Sequence, residues 1–132
     1  MKIACYIATA LFLLFSYFQI NDVTQYQNHD NWFWILYYLA TAALSFWLTR
    51  RHLPRPFLSG CVGFSLGAAL FRMMDGVGNF DFSAPFRATA IPSHMNATTQ
   101  APNEIGGLLL VAAWLLFLTL RADRACHEAK SK

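Results

Sequence analysis

The sequence predicts an all-α membrane protein: four transmembrane helices in an antiparallel bundle, both termini cytoplasmic, forming a single membrane domain over residues 1–132. Three observations carry this reading. Of 132 residues, 56% are hydrophobic and only 13% charged, whereas a soluble domain needs about 25% charged residues to wet its outside; the mean hydropathy is +0.35. Four apolar stretches approach the roughly 20 residues that a helix rising 1.5 Å per residue needs to cross a hydrocarbon core. The basic residues also gather at alternate ends of those stretches, as cytoplasmic loops require. The same composition excludes a disordered chain, a nucleic-acid module held by a basic patch, and an ordinary soluble enzyme.

The helices are expected at about 3–20, 32–49, 57–74 and 103–121. The first covers Ile3 to Ile20 without a charge. Lys2 before an apolar run is also the opening of a signal peptide, but a cleavage site wants small residues after the run. This run closes with Tyr17, Phe18, Gln19 and Ile20, so a retained anchor is expected. A polar, amide-rich connection, Asn21 to Asn31, leads to Trp32, Phe33 and Trp34, which read as an interfacial aromatic belt. The second stretch, Trp32 to Leu48, is closed by Thr49, Arg50, Arg51 and His52. Pro54 and Pro56 then stop one helix and start the next, proline being tolerated in a first turn, so helices two and three form a tight hairpin.

The third stretch, Phe57 to Met74, carries Arg72 near its end. A long extracytoplasmic loop, 75–102, follows, in which Gly76, Gly78, Pro85, Pro92 and Pro102 break any regular period. Phe80, Phe82 and Phe86 are expected to lie on the bilayer surface or fold over the bundle mouth. Asn96-Ala97-Thr98 forms a glycosylation sequon there. The fourth stretch, Ile105 to Leu120, is extended toward the headgroups by Asn103 and Glu104.

With the amino terminus inside, the inner segments hold Lys2, Arg50, Arg51, Arg55, Arg121, Arg124, Lys130 and Lys132, and only Arg72 and Arg87 fall outside. That asymmetry sets the orientation and suits a plasma or inner membrane. Cys5, Cys61 and Cys126 then lie toward the reducing face and match no Cys-x-x-Cys pattern, so neither disulfides nor a metal site are expected of them.

Lipid tails cannot satisfy polar groups, so small and polar residues of a spanning helix tend to face other helices. Cys5, Thr9, Phe12, Ser16 and Gln19 share one face of the first helix; Tyr38, Thr41 and Ser45 share one of the second. Glu104, Gly107, Val111 and Trp114 share one of the fourth. The third offers Gly60, Gly63 and Gly67 on one face or Cys61, Ser65, Ala68 and Arg72 on the neighbouring one, and Gly63-Phe-Ser-Leu-Gly67 matches small-xxx-small, a pattern for close helix packing inside the monomer or between two copies.

In this topology Gln19, Asn21, Asp22, Arg72, Asp75 and Glu104 meet at the outer level of the bundle. Ionisable groups inside a membrane are functional candidates by default, so Gln19, Asn21, Asp22, Arg72 and Glu104 are the candidate ligand-binding residues. A structural reading stands beside it: Glu104 in the first turn of helix four would be favoured by the helix dipole, and Arg72 would pair with Asp75 or reach the headgroups. Asp22, His29, Asp30 and Glu104 could offer metal ligands but lack any ligand spacing, and no serine has a histidine at a matching depth. No catalytic residue, metal site or cofactor is therefore assigned.

Gln19-Ile-Asn21-Asp22 at the close of the first helix, followed by Trp34 and Tyr38, resembles the signature of the transmembrane protein 220 family. Glu104-Ile-Gly-Gly107 leading to Trp114 is similar to the family's last part. The resemblance implies a small polytopic membrane protein without an established activity, and marks Gln19, Asn21, Asp22, Glu104, Gly107 and Trp114 as the positions that matter. Val23 and Thr24 depart from the proline and acid that commonly follow the asparagine–aspartate pair.

The leading functional expectation is a binding or interaction protein with a polar site at the outer mouth. Its partners are the lipid bilayer and a protein partner or second copy of the chain, with no role for nucleic acid. The alternatives are an oligomeric small-solute or ion transporter with its contact at Gly63 and Gly67, or a membrane enzyme using Asp22 and Glu104 as acid and base.

Overall fold

The computed structural model describes residues 2–26, 31–51, 53–74, 77–87 and 97–130, with side chains placed for 2–20, 31–51, 53–74, 77–86 and 101–121. Four long helices appear in chain order: α1 (Lys2–Tyr26), α2 (Asn31–Trp47), α3 (Arg55–Arg72) and α4 (Ala97–Lys130), with a short 3-10 helix at Ala84–Arg87. The chain divides into two compact units, Met1–Leu53 and Pro54–Lys132.

The first unit is the α1–α2 hairpin. Its register is antiparallel, for as the chain rises along α1 its partners descend α2. Tyr6 meets Phe46 (ring centroids 6.2 Å), Phe12 stacks on Tyr38 (6.4 Å), and Ser16 donates to the Ile35 carbonyl (3.2 Å). Cys5, Ala8, Phe12 and Ser16 are buried on α1, against Trp34, Ile35, Tyr38, Thr41, Ala42 and Ser45 on α2. These contain the stripes expected from the sequence, with Ala8, Trp34, Ile35 and Ala42 added and with Thr9 and Gln19 at their margin. Hydroxyls in the helices are satisfied by turning back one turn: Thr9 to Cys5 (2.8 Å), Thr41 to Tyr37 (2.9 Å) and Ser45 to Thr41 (2.8 Å).

Helix α1 runs on through Tyr26 instead of yielding at Asn21. Hydropathy marks where apolar residues stop, but the 21–26 segment holds neither glycine nor proline to end the backbone ladder. Helix α2 closes in a tightened turn in which the Thr49 amide (3.0 Å) and hydroxyl (2.7 Å) both donate to the Phe46 carbonyl.

The second unit is the α3–α4 hairpin with the 3-10 helix packed on α4. Pro56 sits in the first turn of α3, where its missing N–H is no loss. Leu58, Ser65 and Ala69 are buried on α3. On α4 the buried stripe is Glu104, Ile105, Leu108, Val111, Ala112, Leu115, Leu118 and Thr119, spaced by threes and fours as one helical face.

Part of the expected 75–102 loop is folded. The Asp81 amide donates to the Met73 carbonyl (2.8 Å), Met74 and Phe80 form an antiparallel bridge, and Gly78 takes φ +96°, which a side chain would resist. The Asp81 carboxylate accepts from the Ser83 amide (3.0 Å) and hydroxyl (2.6 Å), starting the 3-10 turn whose Ala84 is buried. Phe80, Phe82 and Phe86 stay exposed. Helix α4 begins at Ala97 and takes in Pro102, which lacks the N–H that would bond one turn back and sets its ring against that carbonyl.

Two helical segments are long and apolar enough to cross a membrane, Lys2–Ile20 and Ala101–Arg121. Helix α2, with 17 residues, is about 26 Å long, short of a roughly 30 Å core, and α3 bears an arginine at each end. Ile3, Ile7 and Tyr17 of α1, Leu36 of α2, Phe64 and Phe71 of α3 and Leu120 of α4 are all well exposed. Such a surface is costly in water and at home in lipid.

Candidate functional site

The sharpest polar feature is an ion pair at one end of the α3–α4 hairpin. Arg72 closes α3, and the antiparallel return of α4 brings Glu104 to its level, with Nη1 and Oε2 3.1 Å apart. The carboxylate is nearly buried, its side chain 8% exposed, while the arginine is 35% exposed. Ile105 is fully buried beside it. A carboxylate in such surroundings is held in place by its cation, which in turn keeps an edge toward solvent or headgroups.

Two parts of the structural reading change here. Glu104 is not in the first turn of its helix, since α4 starts two turns earlier at Ala97 and holds no acid in its first turn. The helix dipole falls off within that turn and does little for Glu104. Arg72 is held across the hairpin by Glu104; Asp75 lies outside the described residues.

Asn103, next to Glu104, is half-buried, and its Nδ2 is fully buried without a hydrogen-bond partner. Sequence reasoning used Asn103 only to lengthen the helix. Its position beside an acid at a span boundary was the available signal.

The other candidate residues are distributed as follows. Gln19 is half-buried on α1, one turn beyond Ser16. Asn21 and Asp22 belong to the last turns of α1, but their side chains lie outside the described residues. Gly107 and Trp114 are half-buried on α4, and Trp114 stacks on Phe117 with centroids 5.6 Å apart. A Cβ built at Gly60, Gly63 or Gly67 meets nothing within 4 Å. These glycines are therefore not where α3 touches α4, a contact made instead from the face of Leu58, Ser65 and Ala69. Among the described residues no three His, Cys, Asp or Glu side chains stand together as a metal site. His29, Asp30, Asn96 and the Cys126 side chain lie outside the described residues.

Apolar helices with lipid-suited surfaces, and a near-buried ion pair where a span ends, define a helical membrane protein. The chain belongs to transmembrane family 220, whose helical family model matches residues 11–120. That match takes in Gln19, Asn21, Asp22, Arg72, Glu104, Gly107 and Trp114, and includes α3, for which the sequence offered no specific resemblance. No curated protein and no solved structure matches the chain.

Proposed function

We infer that the protein works by binding. In this reading all four helices cross the bilayer, both termini are cytoplasmic, and a plasma or inner membrane is its place. Each hairpin carries its own candidate binding groups at its extracytoplasmic end: Arg72 and Glu104 on one, Gln19, Asn21 and Asp22 on the other. The ligand is a polar headgroup, a small polar solute or a polar segment of a partner protein.

The observation that carries this is the Arg72–Glu104 pair at 3.1 Å, with its acid 8% exposed at the boundary of a span. Desolvating a carboxylate is expensive, and a well-packed apolar pair would close the hairpin at least as stably. An ionised pair retained there supplies donors on the arginine edge and an anchored negative charge, which is what polar recognition needs.

Native mass spectrometry of the protein released from nanodiscs tests this, comparing the unaltered chain with Asp22→Asn, Glu104→Gln and the double variant. A bound mass that is lost in the variants supports binding. The same bare species throughout, with only stability changed, makes the polar groups a structural lock and overturns the reading. The open glycines favour a second reading, an oligomeric transporter whose copies meet at Gly63 and Gly67. A chain that stays monomeric in both detergent and bilayers rules it out.

A further inference from the structure

The opposite end of the α1–α2 hairpin carries positive charge with no acid beside it among the described residues of that unit. Arg50 and Arg51 lie in the turn that closes α2, after Leu48 and Thr49, and each lays its guanidinium over the ring four residues back. Arg50 Cζ is 4.8 Å from the Phe46 centroid and Arg51 Cζ is 6.0 Å from that of Trp47. The two cations are thus drawn about one turn, roughly 5 Å, toward the apolar part of α2 instead of away from it. Phe46 and Trp47 are themselves exposed.

Among the described residues of the α1–α2 unit, no acid side chain stands beside this pair. The sequence has no Asp or Glu between Asp30 and Asp75. The antiparallel register puts the Lys2 end of α1 beside α2's C-terminal end, so a third cation joins the two. Asp22, the acid within α1, belongs to a turn about 30 Å further along that helix, nearly four Debye lengths of about 8 Å at physiological salt.

Nor are the guanidinium groups needed to cap the helix. The Trp47 carbonyl already accepts the Arg50 (3.0 Å) and Arg51 (2.9 Å) amides, and the Phe46 carbonyl accepts from Thr49. A guanidinium stacked on a ring uses only its flat face, which leaves the planar N–H edge for a bidentate acceptor such as phosphate.

We propose that Arg50 and Arg51, set on Phe46 and Trp47, form a site for the phosphate of an anionic phospholipid. The exposed rings lie against the glycerol and upper acyl region of the same lipid, which a free anion could not use. The site is independent of the polar ends treated above and stands whether or not they bind anything.

The test uses the full chain in vesicles of phosphatidylcholine containing a minor share of phosphatidylglycerol, and counts lipids retained in native mass spectrometry. The unaltered protein is expected to retain phosphatidylglycerol selectively. Arg50→Gln with Arg51→Gln should weaken that preference about thirtyfold, and Arg50→Gln alone about fivefold should the double variant not fold. Phe46→Leu with Trp47→Leu, which leaves the charge intact, should weaken it about two- to fivefold. Lys130→Gln with Lys132→Gln removes as much charge and should leave it unchanged. Ring variants that bind like the unaltered chain, or a lysine pair that matters as much as the arginine pair, would reduce the effect to diffuse attraction and overturn the site. Displacement of the lipid by millimolar inorganic phosphate would overturn the lipid assignment.

Discussion

Replacing Arg72 by glutamine should destabilise the α3–α4 hairpin more than replacing Glu104 by glutamine, although the two substitutions break the same bond. The asymmetry follows from burial. Without Arg72 a carboxylate 8% exposed is left behind without its cation; without Glu104 the remaining arginine is already 35% exposed and can swing to the headgroups. Breaking a fully buried pair by removing one partner costs about 3–5 kcal/mol, and an exposed pair is worth about 0–1 kcal/mol. Solvent reaching the arginine places Arg72→Gln below the first range, at about 2–3 kcal/mol, and Glu104→Gln at about 0.5–1 kcal/mol, because an amide can still accept from the guanidinium. The difference, about 1–2.5 kcal/mol, is a factor of about five to sixty in the folding equilibrium, at about 1.4 kcal/mol per tenfold. Reversible unfolding in mixed micelles by added dodecyl sulfate, followed by far-ultraviolet circular dichroism, measures both, and the double variant gives the coupling. Equal losses, or a larger loss for Glu104→Gln, would refute the assignment of the buried and exposed partners.

Ser16→Ala removes a buried hydroxyl bonded across the hairpin to Ile35 and should cost about 0.5–1 kcal/mol in the same assay. Phe12→Ala should cost about 1–3 kcal/mol, less than the 3–5 kcal/mol of a water-soluble core, because lipid receives the exposed surface and only packing is lost. Gly63→Ala should stabilise the monomeric hairpin by about 0.5–1 kcal/mol, since a Cβ there meets nothing and glycine is entropically costly in a helix. A loss instead, with a change in oligomeric state by mass photometry, would show a second copy covering that face.

The helices and their inward stripes were legible because membrane packing leaves a plain mark. Cys5, Phe12 and Ser16 stand out as small, aromatic and polar residues at three- and four-residue steps among Leu and Ile, and all three are buried. Helix ends were not legible in the same way. The polar 21–26 and 97–101 segments read as loops by hydropathy, yet a backbone ladder continues through polar residues until a breaker or a lost bond stops it. The partner of Arg72 was beyond reach for a related reason. Asp75 is near in sequence, whereas Glu104 is near only once the register of the two helices is fixed. Small-xxx-small at Gly63 and Gly67 says that a backbone can be approached but not by what, and of the two faces the sequence offered, α3 buries Ser65 of the other. The fold of residues 77–87 depends on Asp81 gripping Ser83, a local turn bond that glycine and proline content alone does not reveal.

The most direct measurement is thiol labelling with a membrane-impermeant maleimide in intact and permeabilised cells, on a chain whose own cysteines are replaced by serine. Val77→Cys reports the ion-pair end, where the residue is 89% exposed, and Arg51→Cys reports the basic end. Hairpins that cross the bilayer with those ends on opposite faces should label at position 77 in intact cells and at position 51 only after permeabilisation. Labelling of both from the same side would contradict the topology on which the polar site and the lipid site both rest.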